Sequence, residues 1–195
     1  MPEFELRSRW NDRFFGNDHP IVIELGCGKG EYTVGLASKY PEKNFIGIDW
    51  KGSRLWRGCK TVSEKVMKNV GFIRTQVGLV EQVFAPGEIS EIWITFPDPQ
   101  VKKERLRLTT PVFLAKYRNI LASGGPIHLK TDDSFFYSYT LDVIREHHHT
   151  LLWTTDDLYH SGITGELVEI RTYYENLWLN EGKKICYLKF QLSTI

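Results

Sequence analysis

The sequence has little of what marks secreted, membrane-spanning or disulfide-linked proteins. Its three cysteines, Cys27, Cys59 and Cys186, are odd in number and widely scattered, which fits neither a disulfide framework nor a zinc site. No apolar run approaches the length of a membrane span. The first residues lack the basic region and the apolar core of a signal peptide. These absences predict a cytoplasmic protein with no membrane partner.

The chain also lacks a large excess of charge of either sign. Its net charge of +1 does not decide whether the partner is a nucleic acid, so the distribution of charge is more informative. Seven basic residues and one acid lie between Lys51 and Arg74, and four basic residues and one acid lie between Lys102 and Arg107. A solvated surface explains the first cluster as well as a nucleic-acid contact does. The second cluster directly follows an unusual loop, described below.

Glycine, in contrast, is concentrated near the start of the chain. Residues 20–25 form an apolar, β-branched run that predicts a buried parallel strand, and residues 31–39 fit a helix. Gly26, Gly28 and Gly30 lie between them, where glycine lets the backbone bend tightly and approach a ligand closely. This pattern predicts the first half of a βαβ unit. A glycine turn with a structural role only is the alternative.

The next predicted strand adds an acid to this half-site. The run 44–49 ends in Asp49, at about the distance from the loop at which such folds bind a ribose. The glycine spacing is G-x-G-x-G rather than the G-x-G-x-x-G of dinucleotide sites. Because Glu24 and Glu31 would repel a pyrophosphate, they favour a cofactor with an ammonium and a sulfonium group. The E-x-G-x-G-x-G pattern resembles the first motif of the Rossmann-like S-adenosylmethionine-dependent methyltransferases.

The remainder of the chain alternates predicted strands and helices. The predicted strands are 70–74, 91–96, 127–130, 151–155 and 185–191, and the predicted helices are 51–68, 110–121, 133–147 and 172–181. The last strand alternates as an edge strand does. This order predicts one α/β domain over residues 1–195 with a doubly wound sheet. Its ligands should lie beyond the carboxyl ends of the strands.

Three details of this prediction concern packing. Four side chains of the helix 51–68 are expected to face inward: Leu55, Trp56, Val62 and Val66. Residues 1–20 are expected to be a lead-in segment that packs aromatic side chains onto the domain edge. Residues 156–168 are expected to form a polar loop.

One loop, residues 96–103, indicates the type of reaction. Pro97 and Pro99 flank Asp98 and restrict the backbone on both sides of it. We expect Asp98 to be held rigidly and to face the cofactor, as a group that positions an acceptor should be. Lys102 and the cations after it suggest a phosphate backbone beside the site. A rigid turn that only ends a strand is the alternative.

Four motifs together resemble one family. They are E-x-G-x-G-x-G, F-P-D-P followed by lysines, K-T-D after the fifth strand, and T-x-x-E near the C-terminus. In this order they resemble the tRNA (guanine-N7)-methyltransferases, over residues 10–190. The resemblance implies a Rossmann-like class I methyltransferase fold, with a mostly parallel seven-stranded sheet and an antiparallel C-terminal strand. It also implies methyl transfer from S-adenosylmethionine to N7 of a guanine in the variable loop of tRNA.

The resemblance also implies roles for individual residues, and it implies no metal. Asp98 would be the central catalytic acid and would also contact the cofactor. The other implied cofactor contacts are Glu24, Gly26, Gly28, Gly30, Asp49 and Gln76. The implied substrate contacts are Lys102, Asp132, Thr172, Tyr173, Tyr174 and Glu175.

The chain departs from the family pattern in three places. Gln76 stands where the family usually has an acid, and Arg105 stands roughly where it has a histidine. Family members often carry a basic N-terminal extension, whereas this sequence starts close to the domain.

The spacing of Thr172 and Glu175 has two explanations. They are three residues apart, so they lie on one face of a helix and could close over a ligand. A helix N-cap with its capping-box acid explains the same spacing nearly as well.

Other functions stay open. An NAD-dependent oxidoreductase is disfavoured by the missing third glycine and by Glu24. A second alternative is a methyltransferase that acts on a small molecule or a protein, in which case the basic residues after Asp98 would have no role in substrate binding. A third is a non-catalytic RNA-binding partner that has kept the fold but not the activity. The three consecutive histidines 147–149 diverge around a helix with no acid or cysteine cluster to join them, so we predict no metal there. A homodimer or an accessory subunit is left open.

Overall fold

The computed structural model of the protein describes residues 4–193. Its strands are β1 (Ile21–Leu25), β2 (Asn44–Asp49), β3 (Val70–Arg74), β4 (Ile89–Thr95), β5 (Pro126–Thr131), β6 (Thr150–Thr155) and β7 (Cys186–Gln191). Its α-helices are α1 (Glu31–Lys39), α2 (Gly52–Glu64), α3 (Val80–Val83), α4 (Pro111–Ile120), α5 (Ser134–Glu146), α6 (Glu166–Glu169) and α7 (Tyr173–Asn180). No helix within this range combines the length and the apolar character that crossing a membrane requires.

All seven strands form one sheet, in the order β3-β2-β1-β4-β5-β7-β6. The first five strands of the chain are parallel, and β7 is antiparallel to both of its neighbours. The predicted doubly wound, mostly parallel seven-stranded sheet with an antiparallel C-terminal strand is therefore confirmed. The strand order reverses between β1 and β4, so their carboxyl ends open the crevice in which such sheets bind ligands.

Side chains of the sheet alternate between two cores, one on each face. Ile23 and Leu25 of β1 join the core that contains the inner faces of α4 and α5, whereas Val22 joins the core that contains α1. In the second core, Trp93 of β4 stacks on His128 of β5 with the ring centroids 3.9 Å apart. Both faces of the central strands are covered. This explains why these strands are nearly continuous apolar runs in the sequence.

Helix α2 is shorter and less buried than predicted. It ends at Glu64 rather than at residue 68. Leu55 is buried and Val62 packs against a core, but Trp56 is 62% exposed and Val66 is 76% exposed, so the prediction that these two face inward is wrong. Adjacent helix positions point about 100° apart, and Trp56 therefore cannot share the direction of Leu55. Val66 lies beyond the helix, in a left-handed conformation.

The last strand is an interior strand, so the prediction of an edge strand is also wrong. β7 lies between β5 and β6, and the edge is β6. The two polar side chains that produce the alternation in β7, Lys189 and Gln191, are only partly exposed. Residues 156–168, predicted as a polar loop, contain the turn Leu158–His160 and helix α6. Leu158 and Leu167 are buried there because they pack into the second core.

The lead-in segment packs aromatic side chains as predicted, but more deeply. Residues Trp10–Phe15 form a π-helical turn. Trp10 is 3% exposed, belongs to the first core and donates a hydrogen bond from Nε1 to the carbonyl of Val83 at 3.2 Å. Phe14 packs against the Cα of Gly71, where a side chain on Gly71 would meet its ring. Residues 1–3 and 194–195, which the predicted domain includes, lie outside the described residues.

Candidate active site

The glycine loop between β1 and α1 needs its glycines for two different reasons. Gly26, Gly28 and Gly30 all have left-handed backbone conformations, with φ of +75°, +56° and +73°, which cost a residue with a Cβ free energy. A Cβ on Gly30 would also collide with the ring of Phe72. A Cβ on Gly26 or Gly28 would meet nothing within 4 Å. The loop therefore leaves open space above its first two glycines.

Asp49 closes the loop against the end of β2. Its Oδ2 accepts a hydrogen bond from the amide of Gly28 at 3.0 Å, and its Oδ1 accepts one from the amide of Lys51 at 2.8 Å. The side chain is mostly buried, whereas the neighbouring Trp50 is 62% exposed. The acid predicted from the spacing of the two strands thus lies directly beside the glycine loop.

Glu24 lies beneath the loop rather than at its surface. Its carboxylate accepts hydrogen bonds from the amide of Thr33 at 2.8 Å and from Oγ1 of Thr95 at 2.5 Å, and it also bonds Oγ1 of Thr33. The residue is 3% exposed. Burial raises the pKa of this carboxyl from 4.5 to about 7, although the hydrogen bonds from the two threonines oppose the shift. Glu24 therefore ties β1 to α1 and β4, and a direct contact with a cofactor stays a prediction.

Two cavities adjoin at the carboxyl ends of the strands. The smaller, of about 80 Å³, lies over the glycine loop, and the larger, of about 660 Å³, opens beside it. Both are lined by Arg54, Phe96 and Tyr174. Of the predicted site residues, the smaller cavity is lined by Gly26, Gly28, Thr172, Tyr173 and Tyr174, and the larger by Asp98, Asp132 and Tyr174.

Asp98 is exposed within the larger cavity. Its Oδ1 accepts a hydrogen bond from the amide of Gln100 at 3.0 Å. Phe96 and Gln100, on either side of it, both have φ of +48°, which is uncommon for residues other than glycine and concentrates at functional sites. The amide of Phe96 also donates to the carbonyl of Lys130 at 2.8 Å. These features, together with the two prolines, anchor the loop that carries Asp98.

The basic run after this loop has one member that does not face solvent. Arg107 is 5% exposed, its guanidinium packs 4.7 Å and 4.4 Å from the ring centroids of Phe135 and Tyr139, and it donates to the carbonyl of Val101 at 3.1 Å. The prediction that Arg107 faces a phosphate is therefore wrong. The exposed cations of the run are Lys102, Lys103 and Arg105.

Thr172 and Glu175 form the N-terminal cap of α7. Thr172 Oγ1 accepts from the amide of Glu175 at 3.1 Å, and the Glu175 carboxylate accepts from the amide of Thr172 at 3.4 Å. Glu175 is fully buried, accepts from the hydroxyl of Tyr159 at 2.7 Å and pairs with Lys130 at 2.6 Å. Glu175 thus lies inside the protein rather than at a cavity wall, and its contact with the substrate stays a prediction. The capping box was the alternative.

Lys130 connects β5 to the segment that precedes α7. It is fully buried, and besides Glu175 its Nζ donates to the carbonyls of Leu167 at 2.5 Å and Ile170 at 3.4 Å. Burial lowers the pKa of Lys130, and the Coulomb attraction of Glu175 opposes this shift. One buried cation thus holds together the end of β5, α6 and the start of α7.

Tyr173 extends this segment over the glycine loop. Its amide donates to Oε2 of Glu31 at 3.0 Å, and Nζ of Lys29 lies 4.9 Å from the centroid of its ring. The C-terminal segment and the glycine loop therefore contact each other directly across the smaller cavity.

Asp132, just after β5, accepts a hydrogen bond from Nζ of Lys183 at 3.3 Å.

Comparison with known proteins identifies the family. A family model described as "Putative methyltransferase" matches residues 18–188. The tRNA (guanine-N(7)-)-methyltransferase of Christiangramia forsetii is 54% identical over 193 residues, which cover 97% of this chain and 86% of that protein. The enzyme of the same name from Porphyromonas gingivalis is 54% identical over 191 residues, covering 97% and 78%. The chain belongs to the tRNA (guanine-N(7)-)-methyltransferase family.

More distant proteins share the fold of the family. The tRNA (guanine-N(7)-)-methyltransferase of Bacillus subtilis is 34% identical over 183 residues, covering 93% of this chain and 84% of that protein. The solved structure of the 16S rRNA methyltransferase KamB superposes with a TM-score of 0.72 at 12% identity, covering 94% of this chain and 92% of that one. At that identity the similarity shows the fold alone.

Six predicted site residues line neither cavity. Four of them are buried: Glu24, Gly30, Asp49 and Glu175. The other two, Gln76 after β3 and Lys102, lie on the exposed surface. Their roles stay predictions. In residues 4–193, no group of three or more His, Cys, Asp or Glu side chains could hold a metal ion.

The sequence analysis assigned no role to two residues that the structure places at the site. Arg54 lies in the first turn of α2 and lines both cavities. In the sequence, the feature that could have indicated it is a basic residue shortly after a strand that ends in an acid. Lys130 was part of the K-T-D motif, and its signal was a lysine inside the apolar run of a central strand. A cation at such a position needs a buried partner, but the sequence does not say which acid that partner is.

Proposed function

We propose that the protein transfers the methyl group of S-adenosylmethionine to N7 of a guanine in tRNA, and that this guanine lies in the variable loop. The observation that carries the proposal is the position of Asp98. It lines a cavity that adjoins the glycine loop, so an acceptor held by Asp98 lies next to the place where the loop would hold the cofactor. The names of the relatives supply the class of acceptor.

The residues around the glycine loop fit S-adenosylmethionine. The space above Gly26 and Gly28 can admit a ligand that touches the backbone. Each carboxylate oxygen of Asp49 uses one lone pair on a backbone amide, so further lone pairs remain for the ribose hydroxyls. Trp50 offers an exposed ring for the adenine. When bound, the cofactor supplies a methyl group activated by its positively charged sulfur.

Asp98 would orient the acceptor rather than remove a proton. Guanine N7 carries an in-plane lone pair and no proton, so methylation there needs no general base. The protein has to align N7 with the methyl–sulfur bond and exclude water. We expect the Asp98 carboxylate to accept hydrogen bonds from the N1–H and the exocyclic amine of guanine. Adenine lacks this pair of donors, so the same residue would discriminate between the purines.

The remaining predicted residues would surround these two ligands. Asp132 and Tyr174 share the larger cavity with Asp98 and would contact the acceptor. Thr172 and Tyr173 line the smaller cavity, and together with Glu175 they would contact the acceptor where it meets the cofactor. Lys102 would bind a phosphate of the RNA. Gln76 would pair with the edge of the adenine. We further propose that residues 1–195 act as one domain and that the protein works in the cytoplasm.

The decisive experiment is methyl transfer from labelled S-adenosylmethionine to unmodified tRNA, followed by nuclease digestion and identification of the labelled nucleoside. We expect the label in 7-methylguanosine. Transfer to a tRNA whose variable-loop guanine is replaced by adenine should be lost. Label in another nucleoside, or cofactor binding without transfer to any tRNA, would contradict the proposal. Label in the variant tRNA would contradict only the variable-loop assignment.

A further inference from the structure

Helix α2 presents an aromatic and basic face to solvent. Trp56 on this helix and Trp50 just before it are each 62% exposed, although a large aromatic ring gains much from burial. Arg57 and Lys60 are also exposed. Lys60 follows Trp56 by one helical turn, and its Nζ lies 5.4 Å from the centroid of the Trp56 ring. We call Trp56, Arg57 and Lys60 the α2 face.

The surroundings of the α2 face are strongly positive. Residues 51–68 contain six basic side chains and one acid, Glu64, which pairs with Lys60 at 3.7 Å. Two copies of such a face would repel each other, so a second copy of this chain is a poor occupant. A polyanion with planar bases satisfies both the charges and the rings, because phosphates pair with the cations and bases stack on tryptophan.

The α2 face is continuous with the candidate active site. Trp50, Lys51 and Arg54 line the larger cavity together with Asp98. From there the 13 residues of α2 extend for about 20 Å away from the cavity. A nucleic acid that places one base in the cavity would therefore have neighbouring nucleotides along this helix.

We propose that the α2 face binds the tRNA nucleotides that flank the target guanine, with Trp56 stacked on a base and Arg57 and Lys60 on phosphates. This inference depends on the proposed function, because it takes tRNA as the acceptor. It adds a binding surface separate from the basic run that follows Asp98. It also assigns a nucleic-acid contact to the basic cluster between Lys51 and Arg74, which a solvated surface could equally explain from the sequence.

The test compares the affinity for unmodified tRNA at several salt concentrations. For the double variant Arg57→Gln/Lys60→Gln, the slope of log affinity against log salt should become shallower by about 1.5, since each lost phosphate contact removes about 0.7 to 0.9. Trp56→Ala should weaken binding about tenfold or more with an unchanged slope, because the stacking contribution carries no charge. Arg145→Gln is the matched control, since this 78% exposed arginine lies on α5, across the sheet. Its affinity and slope should equal those of the wild type.

The outcomes separate this inference from the proposed function. Each variant is first shown to bind S-adenosylmethionine as the wild type does, which establishes that it is folded. If the wild type methylates tRNA and the α2 variants keep both its affinity and its salt slope, the α2 face does not bind RNA. Self-association of the wild type that Trp56→Ala abolishes, with RNA affinity unchanged, would identify a second copy as the occupant and overturn the inference. If the wild type methylates no tRNA, the proposed function itself fails.

Discussion

The two sides of the candidate active site are held together by different kinds of contact. On the glycine-loop side, Asp49 bonds Gly28 and Glu24 bonds Thr33, partners that belong to the same βαβ unit. On the other side, Tyr173 bonds Glu31 across 142 residues of sequence, and a buried ion pair joins β5 to α7. Apart from the bond from Thr95 of β4 to Glu24, the first side is therefore specified locally, and the second depends on the completed fold. Four predictions follow from the two sides of the site.

The largest effect should come from breaking the buried ion pair. Lys130→Met leaves the Glu175 carboxylate buried without its counter-charge. We expect the free energy of unfolding to fall by about 3–5 kcal/mol, as measured by urea denaturation. Lys130→Met/Glu175→Gln removes both charges and keeps a side chain that can complete the capping box, so it should recover most of the loss. A double variant as unstable as the single one would contradict this account.

On the glycine-loop side, Glu24 should make stability depend on pH. Its pKa is about 7 in the folded protein against 4.5 for an ordinary glutamate, so the folded state binds this proton more tightly. The resulting stabilisation is complete below pH 4.5 and is lost as the pH rises through 7. The free energy of unfolding of the wild type should fall by about 3 kcal/mol relative to Glu24→Gln over this range. Denaturation curves at pH 4.5, 6, 7 and 8 measure it, and a constant difference would refute the role of burial.

Asp98→Ala should separate the acceptor from the cofactor. If Asp98 orients guanine, turnover should fall by about 100-fold, the scale of a misplaced reactant, while the affinity for S-adenosylmethionine stays within about twofold of the wild type. Single-turnover methylation and calorimetric titration measure the two. Glu104→Gln, a change at a neighbouring exposed acid, should leave both unchanged. Equal losses in turnover and cofactor affinity would make Asp98 a cofactor ligand.

The smallest effect should come from the open part of the glycine loop. Gly28→Ala should reduce the free energy of unfolding by about 1–2 kcal/mol, the cost of a left-handed alanine, and should also weaken cofactor binding. Gly30→Ala should be more destabilising, because its methyl group also collides with Phe72. Thermal denaturation with and without S-adenosylmethionine measures both. An unchanged cofactor-induced shift in Tm for Gly28→Ala would mean that the cofactor does not lie above Gly28.

Local patterns predicted the parts of the fold that depend on neighbouring residues. The span of β3, the helices that begin near residues 110 and 133 and the tight turn of the glycine loop all follow from steric and hydrogen-bonding rules that act over a few residues. The glycine loop and the loop of Asp98 were located by the same rules. The doubly wound, mostly parallel sheet followed from the alternation of strands and helices together with the family resemblance, whereas the interior place of β7 did not.

The errors concern partners that are distant in sequence. Arg107 belongs to a basic run, and only the folded chain shows that the rings of Phe135 and Tyr139 cover it. Glu175 has the spacing of a ligand contact and of a capping box, and only the folded chain shows that its carboxylate is buried with Lys130. Apolar character alone did not show that Trp56 points outward. Each case needed a long-range contact that the spacing of residues does not encode.

The position of β7 divides the candidate active site between two parts of the sheet. β6 precedes β7 in the chain but meets the rest of the sheet only through it, so neither strand belongs to the sheet unless β7 pairs with β5. Without that pairing, β5 would have an unpaired edge, a site for misassociation. The glycine loop and Asp49 belong to the five parallel strands, whereas Lys130 meets Glu175 only through the chain between β6 and β7.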